Sequence, residues 1–203
     1  YHVVEQINEN PKKACDVNIT SLHYLSDLCN KYDCTLINFS TNYVFSGLKP
    51  PPEDWSELEH YNENDTPRPV NLYGILKLAG EQVVSSSCEK YYNIRVSGLF
   101  GKTGSRAKNG MNFPYIIENN LEISNRADHF EPVEVVADQI INIGYTVDLA
   151  KVIVEMMRQE NKDKYGLYHL VNKGDCTWYD VAQEIADILG YGKAKIKPIE
   201  TKD

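Results

Sequence analysis

Tyr73 and Lys77 stand four residues apart in the run NLYGILKLAGE, and on a helix that spacing puts a phenol and an ammonium on one face. An isolated tyrosine titrates near pH ~10, and a cation within a few ångströms favours its phenolate and so lowers that value. Such a phenol can hand a proton to a carbonyl oxygen while hydride reaches the carbon, which suits the pair to carbonyl reduction. Two common residues at helical spacing also occur by chance on a solvated face, so the pair gains weight from its surroundings. Upstream, the β-prone run CTLINFS (34–40) closes on the hydroxyls of Ser40 and Thr41. In an α/β sheet, strand ends and helix faces converge at the carboxyl edge, where a hydroxyl could serve the same carbonyl.

The elements that would position these groups alternate along the chain. Helical periodicity runs over 9–31, 71–91, 147–160 and 178–189, and strand-like runs fall at 34–40, 92–97, 133–136 and 166–172. Alternation of this kind predicts an α/β fold built on a largely parallel sheet. Residues 48–69 are rich in proline and acids and read as an irregular surface loop. A glycine-rich stretch near 101–112 is the one plausible boundary, dividing residues 1–100 from a smaller lobe over 101–203 that is partly interleaved with the first.

Composition narrows the function classes. The 203 residues carry a formal net charge of −8 and no basic patch, which disfavours nucleic acid as a partner. No apolar run approaches the roughly 20 residues of a membrane span, and the first residues lack a signal-peptide core, so no membrane association is expected. The five cysteines are scattered without a C-x-x-C pair, which fits a reducing cytoplasm and argues against zinc or a redox dithiol. The five histidines show no ligand spacing, so no metal site is expected from them, and Trp178-Tyr179 reads as packing at a helix start. Gly98, Gly101 and Gly104 mimic a dinucleotide fingerprint, but SRAKNGMNF has no apolar stripe for the helix that must follow, so the stretch reads as a substrate-side loop.

STNYVFSG (40–47) followed by YNENDTPRPVNLYGILKLAGE (61–81) resembles the dTDP-4-dehydrorhamnose reductase family, extended short-chain dehydrogenase/reductases. Further segments resemble it in order, among them NIRVSGLFG, YTVDLAKVI and GLYHLVNKGDCTWYDVAQEIA. The resemblance implies a Rossmann-like doubly wound parallel sheet with a smaller C-terminal α/β substrate-binding lobe. It implies NADPH or NADH as hydride source and reduction at C4 of a dTDP-4-keto-6-deoxyhexose, as in dTDP-L-rhamnose and polysaccharide biosynthesis in the cytoplasm. Tyr73 would then be the proton donor, Lys77 would hold the cofactor ribose and tune Tyr73, Thr41 would bond the sugar carbonyl, and Asn18 would support the relay. Tyr1 and Ser40 fall on the cofactor side, and Asn42 and Gly98 on the substrate side with Thr41. The nucleotide-sugar is the expected partner, and the resemblance leaves room for a homodimer and a Mg²⁺ ion. It also implies a glycine-rich unit before Tyr1 and a final segment after Asp203, so that the chain reads as a fragment.

The family usually has aspartate where Asn42 stands and an aromatic sugar contact where Gly98 stands, and its loop between the threonine and the tyrosine is shorter. Asp138-Gln139 resembles a motif near the sugar-nucleotide side, though a polar turn accounts for it equally. A dehydratase of this group places Asp-Glu directly after the threonine, where this chain has Asn42-Tyr43. An epimerase on the same scaffold remains an alternative. So does a non-catalytic subunit similar to the methionine adenosyltransferase β subunit, which keeps the tyrosine and lysine.

Overall fold

The computed structural model describes residues 4–47, 60–104, 109–126, 131–158 and 164–201, without the side chains of Glu5 and Ala194. In chain order the elements are α1 (Val4–Glu9), α2 (Pro11–Cys15), a π-helical segment (Asp16–Thr20), α3 (Ser21–Lys31), β1 (Leu36–Thr41), a 3₁₀ turn (Asn42–Val44), α4 (Leu72–Ser87), β2 (Tyr91–Val96), β3 (Leu99–Phe100), α5 (Phe113–Arg126), β4 (Val133–Val136), β5 (Ile140–Ile141), β6 (Gly144–Tyr145), α6 (Thr146–Arg158), β7 (Gly166–His169), β8 (Cys176–Thr177), α7 (Trp178–Ile188), a second 3₁₀ turn (Lys193–Lys195) and β9 (Ile196–Ile199). The chain is mixed α/β with mostly parallel strand pairs. It forms two compact units, Tyr1–Val96 with Arg158–Leu170, and Ser97–Met157 with Val171–Asp203.

The first unit is a parallel sheet in the order β1-β2-β7. Its middle strand is buried along almost its whole length, and Tyr92, Ile94 and Val96 supply the apolar part. Asn93 and Arg95 are equally buried, and the register sets them opposite Asn38 and Ser40 of β1 and opposite Leu167 and His169 of β7. Ile7, Ala14 and Leu76 form a core cluster against which Ile19, Leu72 and Tyr73 pack. The helical stretch expected over 9–31 is interrupted at Asp16–Thr20, where the Asn18 side-chain amide donates to the Ala14 carbonyl at 3.1 Å. A side chain that bonds its own backbone in this way competes with the regular ladder.

The second unit pairs β3 with β6 and β4 with β9 in parallel, and β5 with β8 antiparallel. Its core gathers Ile117 and Leu121 of α5, Val133 and Val135 of β4, Ala182 and Ala186 of α7, and Ile196 of β9. Trp178 and Tyr179 pack on this cluster, in keeping with a packing role. A reciprocal capping box between Thr177 and Asp180 starts α7. Among the described residues no helix opens at the Gly98–Gly104 stretch: β3 follows Gly98, and the next helix described, α5, begins at Phe113.

His169 closes β7 and is half-buried. Its backbone N–H donates to Glu63 at 2.7 Å, its ring lies against Phe45, and its Nδ1 and Nε2 meet the Tyr61 carbonyl and Arg95. Burial holds the imidazole below its ordinary 6.5; the Arg95 charge adds to this, while Glu63, the Tyr61 carbonyl and Glu81 oppose it. A depressed histidine leaves the unfolded chain binding the extra proton, so its contribution is complete above about pH 6.5 and is lost as pH falls through the folded value. Denaturation of the full-length protein should therefore show a loss of stability as the pH falls below about 6.5 that His169→Gln reduces; an unchanged acid limb in the variant would refute the assignment.

Candidate active site

The helix that carries Tyr73 is set in place by its own sequence. Asn71 caps α4 by accepting from the Gly74 N–H at 2.8 Å. A Cβ on Gly74 would stand 2.1 Å from the Tyr43 carbonyl oxygen, and one on Gly80 would stand 2.6 Å from the Asn18 carbonyl oxygen. Side chains at these two positions would push α4 away from the 3₁₀ turn and from the π-helical segment. Glycine is what lets the first turns of α4 reach the carboxyl end of β1.

With α4 so placed, Tyr73 and Thr41 meet. The Thr41 hydroxyl comes close enough to the phenol to favour its phenolate, and the Tyr73 ring lies edge-on to Tyr43 at 5.8 Å between centroids. Burial pushes the Tyr73 phenol above its ordinary value, Thr41 works against that rise, and Tyr43 adds to it. The lowering by Lys77 expected from the spacing is not among the influences on the phenol, where burial comes first. Burial in turn holds the Lys77 amine below its ordinary value, with the Glu81 charge opposing. Among the described residues Lys77 has no hydrogen-bond or ion-pair partner.

Thr41 is buried, and its hydroxyl is busy. It accepts from the Tyr43 N–H at 3.2 Å and donates to Asn42 Oδ1 at 3.3 Å, so Asn42 competes with Tyr73 for its single proton. Asn18 is buried in the π-helical segment, with its main-chain carbonyl facing α4 at Gly80. Ser40 donates its hydroxyl to Glu81 inside the sheet-helix interface. Tyr1 lies outside the described residues. Gly98 belongs to the second unit, where it lines an apolar cavity of about 410 Å³ with Phe100, Phe113, Ile143, Trp178 and Ile185. Asp138 and Gln139, also in that unit, bond Thr201 beyond the end of β9. Among the described residues no group of three or more His, Cys, Asp or Glu is placed to hold a metal, and no helix is long and apolar enough to cross a membrane.

The residues that sequence reasoning missed lie behind the pair. Glu81, two turns beyond Tyr73 on the same helix, is 3% exposed. Its carboxylate accepts from Arg95 Nε at 2.9 Å and Nη2 at 2.7 Å, and from Ser40. Its main-chain carbonyl accepts from Asn93 Nδ2 at 3.1 Å, and Asn93 Oδ1 accepts from Asn38 Nδ2 at 2.8 Å. Phe45 covers the Arg95 guanidinium at 5.0 Å, and Tyr61 stacks on Phe45 at 4.2 Å. One signal was present: charged and amide residues at alternate positions of YYNIRV, a strand that is otherwise apolar.

A sequence model of the RmlD substrate binding domain family matches residues 1–203. The dTDP-4-dehydrorhamnose reductase of Aggregatibacter actinomycetemcomitans is 29% identical over 92% of this chain and 58% of its own length. The dTDP-4-keto-6-deoxy-D-glucose reductase of Streptomyces niveus is 32% identical over 90% of this chain and 56% of its own. The crystal structure of dTDP-4-dehydrorhamnose reductase from Bacillus anthracis in complex with NADP superposes with a TM-score of 0.82 at 31% identity, covering 99% of this chain and 63% of that one. The chain thus spans somewhat less than two thirds of the relatives it matches.

Glu81→Ala would leave Arg95 buried without its counter-ion, and full-length protein carrying it should lose about 3–5 kcal/mol of stability in urea unfolding. Gly74→Val should lower turnover through displacement of Tyr73; unchanged activity and melting in that variant would mean that α4 has room to move.

Proposed function

The chain belongs to the RmlD substrate binding domain family, and we propose that in the whole protein it forms the catalytic part of a reductase acting on the C4 carbonyl of a dTDP-4-keto-6-deoxyhexose. The observation that carries this reading is the half-buried Tyr73 phenol held near the Thr41 hydroxyl on the helix that carries Lys77 one turn on. A phenol that burial keeps protonated across neutral pH is an acid, and an acid is what carbonyl reduction needs at the oxygen.

A half-buried amine with no hydrogen-bond partner among the described residues fits the hydroxyls of a nucleotide ribose, so Lys77 would hold NADPH or NADH. Ser40 would lie on the same side through its main chain, because its hydroxyl is given to Glu81. When bound, the reduced nicotinamide supplies the hydride. Tyr73 Oη donates its proton to the sugar carbonyl oxygen, which leaves as the alcohol. Thr41 donates to the same sugar oxygen, and Lys77, as the ammonium, steadies the negative charge left on the Tyr73 phenolate. Asn42, by drawing on the Thr41 proton, sets how much of that hydroxyl is free for substrate. The Asn18 main-chain carbonyl at the α4 interface supports the relay behind Lys77. Gly98, on the wall of the second unit's cavity, is the substrate contact expected there.

The test follows NADPH absorbance in full-length protein given a dTDP-4-keto-6-deoxyhexose. Tyr73→Phe should cost several powers of ten in kcat while cofactor affinity stays the same. Wild-type turnover should be flat through neutral pH and fall on the alkaline side, where the phenol and the Lys77 ammonium lose their protons. Cofactor binding without oxidation, together with tight association to a synthetase, would favour the regulatory-subunit reading instead.

A further inference from the structure

Three of the five cysteines gather at one corner of the first unit, away from Tyr73 and Lys77. The Asn30 side chain brings them together: its Nδ2 donates to the Ser87 carbonyl at 2.7 Å, and its Oδ1 accepts from the Glu89 N–H at 3.0 Å. Asn30 therefore straddles Cys88, and its neighbour Cys29 stands close enough to Cys88 and Cys34 for the three thiols to act on one another electrostatically. Asp33, with φ at 52°, turns the chain so that the Cys34 N–H donates to the Cys29 carbonyl at 2.8 Å. The three thiols form a graded series, with Cys34 exposed, Cys29 half-buried and Cys88 buried, and all are free.

We propose that Cys34, Cys29 and Cys88 are an oxidisable thiol relay whose end product is a Cys29–Cys88 disulfide joining the C-terminal ends of α3 and α4. The oxidant is a peroxide that reaches the exposed member. The Cys34 thiolate attacks one peroxide oxygen, the O–O bond breaks, and Cys34 becomes a sulfenic acid as water departs. The Cys29 sulfur then attacks the Cys34 sulfur, and the sulfenic oxygen leaves as a second water with the Cys29 proton. The Cys88 sulfur displaces Cys34 at Cys29, returning Cys34 to a thiol. In total two thiols lose two hydrogens and one peroxide becomes two waters. Burial, followed by the neighbouring Cys88 and Cys34, pushes the Cys29 thiol above its ordinary value, which suits it to the second step rather than to meeting the oxidant.

Full-length protein is treated with one equivalent of hydrogen peroxide, alkylated, digested and mapped by mass spectrometry. The expected product is a peptide pair linked through Cys29 and Cys88, about 2 Da lighter than the two thiol peptides together. Cys34→Ser should slow its formation by hydrogen peroxide about tenfold or more yet give the same link, and Cys29→Ser should leave a dimedone-reactive sulfenic acid on Cys34 with no link. Wild-type protein with an unchanged melting curve that yields no Cys29–Cys88 peptide, or that stops at a Cys29–Cys34 link, would overturn the proposal. The wild-type map decides this even if a serine variant at a buried position fails to fold.

Discussion

The placement of the helix that carries Tyr73 and Lys77 rests on one buried ion pair. A carboxylate and a guanidinium withdrawn from water are tolerable only when every lone pair and N–H finds a partner. Glu81 meets that condition with two nitrogens of Arg95 and the hydroxyl of Ser40, and Arg95 is further covered by Phe45 and met by His169. The partners come from α4, β1, β2 and β7, so satisfying the charge also registers the helix against three strands. Tyr73 and Lys77 sit on the helix so registered, and Thr41 follows Ser40 on the strand. Geometry at the phenol is thereby inherited from electrostatics two turns away. Such a pair is weak evidence of net stabilisation, since desolvation offsets much of the attraction. Its effect is on where α4 can lie.

Close approach is the second requirement. A charge network can choose one position for α4 only if the backbone is able to reach it, and at two places the clearance is smaller than a methyl group needs. Gly74 and Gly80 lie six residues apart on the same helix, one against the turn after β1 and the other against the π-helical segment. Tyr73 directly precedes the first of them, and Lys77 stands between the two. The arrangement therefore works as an attachment at each end of the reactive stretch, with the carboxylate fixing its rotation.

Much of this was legible in the amino-acid order. The Tyr73 and Lys77 spacing, the hydroxyls closing CTLINFS and the alternation of strands and helices each follow from period and residue type. What escaped depends on burial, which spacing does not encode. The sign of the Tyr73 shift turns on desolvation rather than on the neighbouring charge, and the value of Arg95 and Asn93 turns on β2 being a central strand. The helix α5 carries its apolar stripe at Phe113, Ile117 and Leu121, and it escaped because it opens on FPY after a glycine-rich loop. The Pro-rich stretch from 48 to 59 lies outside the described residues, while its continuation is anchored at Tyr61 and Glu63. The three gathered thiols were unreadable for a plainer reason: Cys29 and Cys88 are brought together by an asparagine beside one of them.

The order of strands in the first unit bears on how the chain reaches its native state. β7 pairs with β2, yet the segment from Ser97 to Met157, most of the second unit, is made between them. During synthesis β1 and β2 can pair as soon as both have left the ribosome, leaving Arg95 without His169 and one sheet edge open until the later strand arrives. Pairing across so long an intervening segment is slow to nucleate. In that interval the half-finished sheet presents an unpaired edge beside an exposed cation, the kind of surface through which incomplete chains aggregate.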